Sequence, residues 1–280
     1  MEEGKINYTM NVKDSMLSFK RESTRDSREL IYDRSTCIGC WMCYDACPVE
    51  AIEKNPVTKR RNGKVEYPSI VIDSEKCVLC GICAEVCLFN SLDMTINGGS
   101  VKKLEYPKYA KNWSIDEKKC KPKGDIVCDD CEKACATEAI KCSLKSNKNI
   151  VERDEWKCIM CTTCAKICPE EAITGGKIFD GEIELDLEKC QSCGLCVELC
   201  PSNALTMPKP EIGRRVDKLV LDKDVCIYCG ACANACATKA LEVHRGGVRY
   251  TDAGERAGAY RRREILECLK EAGNWTSNSR

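Results

Sequence analysis

Aromatic side chains are scarce: three Phe, four Trp and nine Tyr in 280 residues. That is too little for a conventional core of this size, so something besides apolar packing must hold the fold. There is one histidine, His244, expected to be structural or on the surface, and no Ser–His–Asp or HExxH constellation. No G-x-G-x-x-G fingerprint, Walker loop or C-x3-C-x2-C loop is present, which leaves no catalytic residue to nominate. An excess of one charge is missing too, with 44 basic and 44 acidic residues. No nucleic-acid footprint follows, and the short basic runs at 59–61 and 261–263 are expected to be solvated surface. No stretch approaches the roughly 18 apolar residues of a spanning helix, and the opening MEEGK has no apolar run for a signal peptide. The expectation is a cytoplasmic protein without membrane insertion.

What the chain has is cysteine, 26 in all. In a short secreted protein this would suggest a disulfide scaffold; in the reducing cytoplasm, thiols at regular spacing bind metal. Five runs have the spacing C-x2-C-x2-C-x3-C, starting at Cys37, Cys77, Cys158, Cys190 and Cys226. A sixth, Cys120, Cys128, Cys131 and Cys135, differs in a first gap of seven residues.

The copies also agree outside their cysteines. Four residues before each first cysteine stands an aspartate: Asp33, Asp73, Asp116, Asp154, Asp186 and Asp222. Four residues after each fourth cysteine comes a small residue: Ala51, Ser91, Ala139, Ala172, Ala204 and Ala240. The stretched copy obeys both rules, so it is a repeat with a longer loop. The runs SIVID, EIELD and KLVLD read as strands entering the loops, and each aspartate should end its strand by hydrogen-bonding the turn that follows. A helical turn and a second strand (SLDMT, ALTM, ALEV) complete each unit. About 35 residues bury too little to stand alone, so the units should pair.

Zinc knuckles offer two cysteines at a time. Three cysteines at successive x2 spacings instead donate to three irons of a cubane, and the fourth reaches the cubane of a partner run, the arrangement of two-cluster bacterial ferredoxins. Pairing the units in order gives six [4Fe–4S] clusters. The first module would use Cys37, Cys40, Cys43 with Cys87, and Cys77, Cys80, Cys83 with Cys47. The second would use Cys120, Cys128, Cys131 with Cys168, and Cys158, Cys161, Cys164 with Cys135. The third would use Cys190, Cys193, Cys196 with Cys236, and Cys226, Cys229, Cys232 with Cys200. A shifted pairing is also allowed by the spacing, but it strands the first and last units. A full cluster is expected at the stretched copy, with a [3Fe–4S] or empty site as the alternative. Cys142 and Cys268 fall outside the repeat and are expected to be buried small hydrophobes.

The expected fold is α+β, three tandem bacterial-type ferredoxin domains with small antiparallel sheets and short helices. The boundaries are a polar, irregular extension at 1–30, domains at 31–97, 114–180 and 181–244, a linker with an aromatic clamp at 98–113, and a tail at 245–280. In that tail Ile265, Leu266 and Leu269 would form one face of a short helix.

The stretches RELIYDRSTCIGCWMCYDACPVEAI (28–52), SIVIDSEKCVLCGICAEVC (69–87), LEYPKY and ELDLEKCQSCGLCVELCPSNAL resemble the archaeal polyferredoxins, above all the polyferredoxin subunits of tungsten- or molybdenum-dependent formylmethanofuran dehydrogenases. The resemblance covers about residues 28–244. It implies an electron relay between a ferredoxin or heterodisulfide reductase and a catalytic subunit of a large oxidoreductase complex. The alternatives are a free soluble polyferredoxin, one serving an energy-converting hydrogenase, and a zinc-binding interaction scaffold.

Overall fold

The computed structural model describes residues 7–23, 26–55, 69–101, 109–208 and 219–249. Two compact units divide between residues 108 and 109. The first contains β1 (Asn7–Lys13), β2 (Met16–Glu22), β3 (Ser27–Asp33), α1 (Met42–Asp45), β4 (Ile52–Lys54), β5 (Ile70–Ile72), α2 (Ile82–Glu85), β6 (Leu92–Ile96) and β7 (Gly99–Ser100). The first strand of one repeat pairs with the last strand of the next, β3 with β6, while the inner strands β4 and β5 pair with each other, all antiparallel. Leu30, Tyr32, Leu92 and Met94 meet across the outer pair and are buried.

The second unit repeats this arrangement twice. Its elements are β8 (Trp113–Ile115), α3 (Asp130–Lys133), β9 (Ile140–Lys145), β10 (Lys148–Arg153), α4 (Thr163–Ile167), β11 (Ile173–Gly175), β12 (Phe179–Leu185), α5 (Leu195–Leu199), β13 (Leu205–Thr206), β14 (Val220–Leu221), α6 (Ala231–Ala235) and β15 (Leu241–Val248). The antiparallel pairs are β8 with β11, β9 with β10, β12 with β15 and β13 with β14. Helices of four or five residues are too short to hold themselves in water, so packing must keep them.

Three expectations about the ends and the linker need correction. Residues 7–22 are a β-hairpin, not an irregular extension: β1 pairs with β2 and β2 with β3, which makes the five-stranded order β1-β2-β3-β6-β7. Phe19 and Leu17 of β2 extend the apolar face begun by Leu30 and Tyr32, and Phe19 is buried. Beyond them on the same face, Tyr8, Met10 and Val12 stay exposed. The tail does not begin at 245, because β15 runs to Val248 and the Arg249 N–H donates to the Ile178 carbonyl. Both ends of the 98–113 segment are strand; within it Tyr109 is buried edge-on against Phe179, with ring centroids 5.5 Å apart. The Ile265 helix, Cys268 and both basic runs lie outside the described residues.

Candidate iron–sulfur sites

Each cysteine loop is entered through the same turn. In all six copies the aspartate side chain accepts the backbone N–H two residues on, from Ser35, Glu75, Lys118, Trp156, Glu188 and Asp224. This is the Asx turn that short acidic side chains favour. The N–H groups of Glu75 and Lys76 hold the Asp73 carboxyl below its ordinary range. The aspartate's own N–H reaches across to the small residue of the partner copy: Asp33 to the Ser91 carbonyl and Asp73 to Ala51, Asp116 to Ala172 and Asp154 to Ala139, Asp186 to Ala240 and Asp222 to Ala204. These six bonds are reciprocal and join the repeats first with second, third with fourth and fifth with sixth. All six small residues are buried, which explains their size.

Left-handed backbone then turns N–H groups toward the sulfurs. Two residues after the first cysteine, Gly39, Leu79, Met160, Ser192 and Tyr228 have positive φ, as does the residue before each helix in the same five copies: Trp41, Gly81, Thr162, Gly194 and Gly230. Positive φ in a non-glycine residue is sparsely populated and persists where the surroundings demand it. Alternating conformations of this kind form a concave nest of N–H donors suited to an anion. Past the fourth cysteine a further left-handed residue recurs in all six copies: Glu50, Asn90, Glu138, Glu171, Asn203 and Lys239. It aims the N–H of Ala51, Ala139, Ala172, Ala204 and Ala240 at the sulfur of Cys47, Cys135, Cys168, Cys200 and Cys236, at 3.2–3.3 Å.

The thiols gather in crossed quartets. One cavity is lined by Cys77, Cys80 and Cys83 with Cys47. Another is lined by Cys158, Cys161 and Cys164 with Cys135, and a third by Cys226, Cys229 and Cys232 with Cys200. For the other three sets electrostatic contact shows the neighbours: Cys43 faces Cys40, Cys87 and Cys37; Cys120 faces Cys128 and Cys168; Cys196 faces Cys193, Cys236 and Cys190. Burial pushes the Cys43, Cys83 and Cys232 thiols well above the ordinary range. Buried thiolates at this density need cations among them.

A [4Fe–4S] guest fits what lines these sites. Each quartet supplies four sulfurs, an apolar wall and backbone donors. The Tyr32 hydroxyl and the Trp113 indole nitrogen are buried without a full hydrogen bond; Tyr32 faces Cys37 and Trp113 faces Cys164. Among the described residues no three Cys, His, Asp or Glu side chains converge on a single ion. Tetrahedral zinc, with Zn–S near about 2.3 Å, requires that convergence; a cubane holds each thiolate on a different iron.

The stretched copy departs locally. Asp129, before α3, has φ −117°, so the left-handed step of the other five copies is missing. The long first gap folds instead as a turn with Lys123 bridging Ile126 and Gly124 at φ 66°. Asn149, a buried side chain of β10, straps this loop by accepting the Cys128 N–H and donating to the Lys121 carbonyl and toward the Cys120 sulfur. Nothing in the turn-like run SNKN marks Asn149 as special. Cys142 packs, half-buried, against the cluster of Cys131, Ile140 and Ile173, and its sulfur lies 3.5 Å from that of Cys131, at the border of the site.

Two models described as 4Fe–4S dicluster domains match the chain, one over 36–91 and 189–240 and the other over 150–201. The last span crosses from the fourth repeat into the fifth, because those repeats are spaced like a pair; the strands and reciprocal hydrogen bonds join the third with the fourth instead. An uncharacterised ferredoxin of Methanocaldococcus jannaschii is 42% identical over 66 residues, 23% of this chain and 74% of that protein. The polyferredoxin protein FwdF of the same organism is 28% identical over 111 residues, 39% of this chain and 31% of that protein. Thus the match takes in about a third of FwdF's length. A chain of the formate dehydrogenase–heterodisulfide reductase–formylmethanofuran dehydrogenase complex from Methanospirillum hungatei superposes with a TM-score of 0.77 at 29% identity, covering 92% of this chain and 91% of that one. The chain belongs to the 4Fe–4S dicluster ferredoxins.

Proposed function

We propose that the chain conducts electrons through six [4Fe–4S] clusters, held by the 24 cysteines in the crossed sets given above, as the polyferredoxin subunit of a formylmethanofuran dehydrogenase complex. Its three modules are built on β3 to β6, β8 to β11 and β12 to β15. The observation that carries the reading is the crossing: the fourth cysteines of the first, third and fifth repeats line the cavities of their partners, and the same partners exchange the Asp-to-small-residue hydrogen bonds. A bound cluster supplies a one-electron site of tunable potential. The protein's residues fix its position, exclude water with Leu30, Ile183 and their neighbours, and donate hydrogen bonds to sulfur, which adjust that potential.

The partners are a ferredoxin or heterodisulfide reductase on one side and a catalytic subunit that interconverts CO2 and formylmethanofuran on the other. This is supported by the near-full-length likeness to the Methanospirillum chain. Among the described residues no helix is long and apolar enough to cross a membrane, and the cytoplasm is the proposed compartment. Native purification under strict anaerobiosis tests the assignment. About 24 iron and 24 sulfide per chain are expected, with spin–spin coupling in the reduced EPR spectrum and a pterin-bearing subunit in the same fraction. Elution alone would point to a free polyferredoxin; zinc without acid-labile sulfide would refute the reading outright.

A further inference from the structure

Arg245 is a charged side chain in the interior, 4% exposed. It lies on β15 and folds back over the sixth cysteine loop. Its Nε donates to the Tyr228 carbonyl at 2.9 Å, and Nη2 donates to the Cys229 carbonyl at 2.8 Å. The guanidinium stacks over Phe179, 5.4 Å from the ring centroid. Gly230 leaves the space, since a Cβ there would meet Nη2 at 3.2 Å.

A second cation approaches the same loop from outside. Lys177 donates to the Lys223 carbonyl at 2.9 Å and lies over the Tyr228 ring, 4.8 Å from its centroid. At the same corner Arg249 binds Asp180, and Lys166 binds Asp222 and Asp224. The third repeat's loop is different. Asp129, Asp130 and Glu132 flank its cysteines, each bound to a lysine more than half exposed to solvent, where screening weakens the pair.

We propose that Arg245, assisted by Lys177, raises the reduction potential of the cluster at Cys200, Cys226, Cys229 and Cys232. This rests on the reading that those four cysteines hold a [4Fe–4S] cluster. The step is the gain of one electron with no proton, which takes the four-thiolate site from about −2 to about −3. A fixed positive charge in a low-dielectric interior favours the more negative state.

The test is an anaerobic redox titration of the full-length holoprotein, followed by EPR, with iron determined on each sample. In Arg245→Met one cluster should become harder to reduce. Its reduced-to-oxidised ratio at fixed ambient potential should fall at least tenfold, equivalent to about 59 mV for one electron. The other clusters should keep their potentials. Arg245→Lys should recover most of the shift, which a purely structural role would not produce. Lys177→Gln, on a half-buried residue, should give a smaller shift of the same sign, and it decides the matter if Arg245→Met fails to fold. Unchanged potentials with full iron in Arg245→Met and Lys177→Gln would overturn the inference. Wild-type protein lacking iron at this quartet would instead overturn the cluster reading beneath it.

Discussion

Single residues determine which cluster a repeat serves. Cys135 belongs by sequence to the third loop, but it lines the cavity of the fourth. Cys135→Ser should therefore cost about four irons per chain. Adding Cys161→Ser should cost no more, whereas adding Cys128→Ser should remove about four further irons, since only the latter acts at a separate site. Iron analysis of the three variants distinguishes these outcomes. Asn149 is the second decisive residue. Asn149→Ala leaves the Cys128 N–H and the Lys121 carbonyl without their partner, a loss of about 1–3 kcal/mol at a buried site. In a chelation time course one sixth of the iron should leave ahead of the rest; uniform release would show that the strap is dispensable.

At the scale of elements, the six repeats were legible because each recurring residue has one physical task. The aspartate closes a turn, the small residue lets two backbones approach, and the spaced cysteines surround a guest. Parity gave the partners, and the reciprocal hydrogen bonds follow them. The hairpin of β1 and β2 was missed, although Tyr8, Met10 and Val12 followed by Leu17 and Phe19 alternate with the period of a strand. The usual turn signal is absent: the connection is Asp14–Ser15, with Asp14 rather than glycine at φ 53°. Asn149 was invisible for another reason, since its role depends on a loop distant in sequence. The hairpin yields a contrast in stability. Phe19→Ala should destabilise the first unit by about 3–5 kcal/mol, as a buried aromatic deletion does. Met10→Ser, on the exposed end of the same face, should stay within about 0.5 kcal/mol. Thermal melts of the iron-loaded protein provide the comparison, and equal effects would mean that β1 is covered in solution.

Across the whole molecule the guests replace the core that aromatics would otherwise fill. The third module has a core of modest aliphatics and the cysteines themselves, and the second is smaller still. Stripping iron with a strong chelator under anaerobic conditions should abolish the cooperative melt and most of the ordered far-UV signal. A colourless chain with an undiminished transition would show that the polypeptide folds unaided. Loaded as proposed, with six clusters at about −2 each, the protein becomes acidic despite its balanced side chains. Association with a basic partner surface should weaken as salt rises, which titration of the binding rate against ionic strength would reveal.

The reciprocal bonds from aspartate to small residue also determine when each pair of repeats can take its final form. While Ser91 and Cys87 are still inside the ribosome, Asp33 has no carbonyl to meet and β3 has only β2 beside it, although Cys37 through Cys47 have already emerged. Maturation thus advances in steps of two repeats, and a nascent chain halted between them displays open thiols to any scavenging metal.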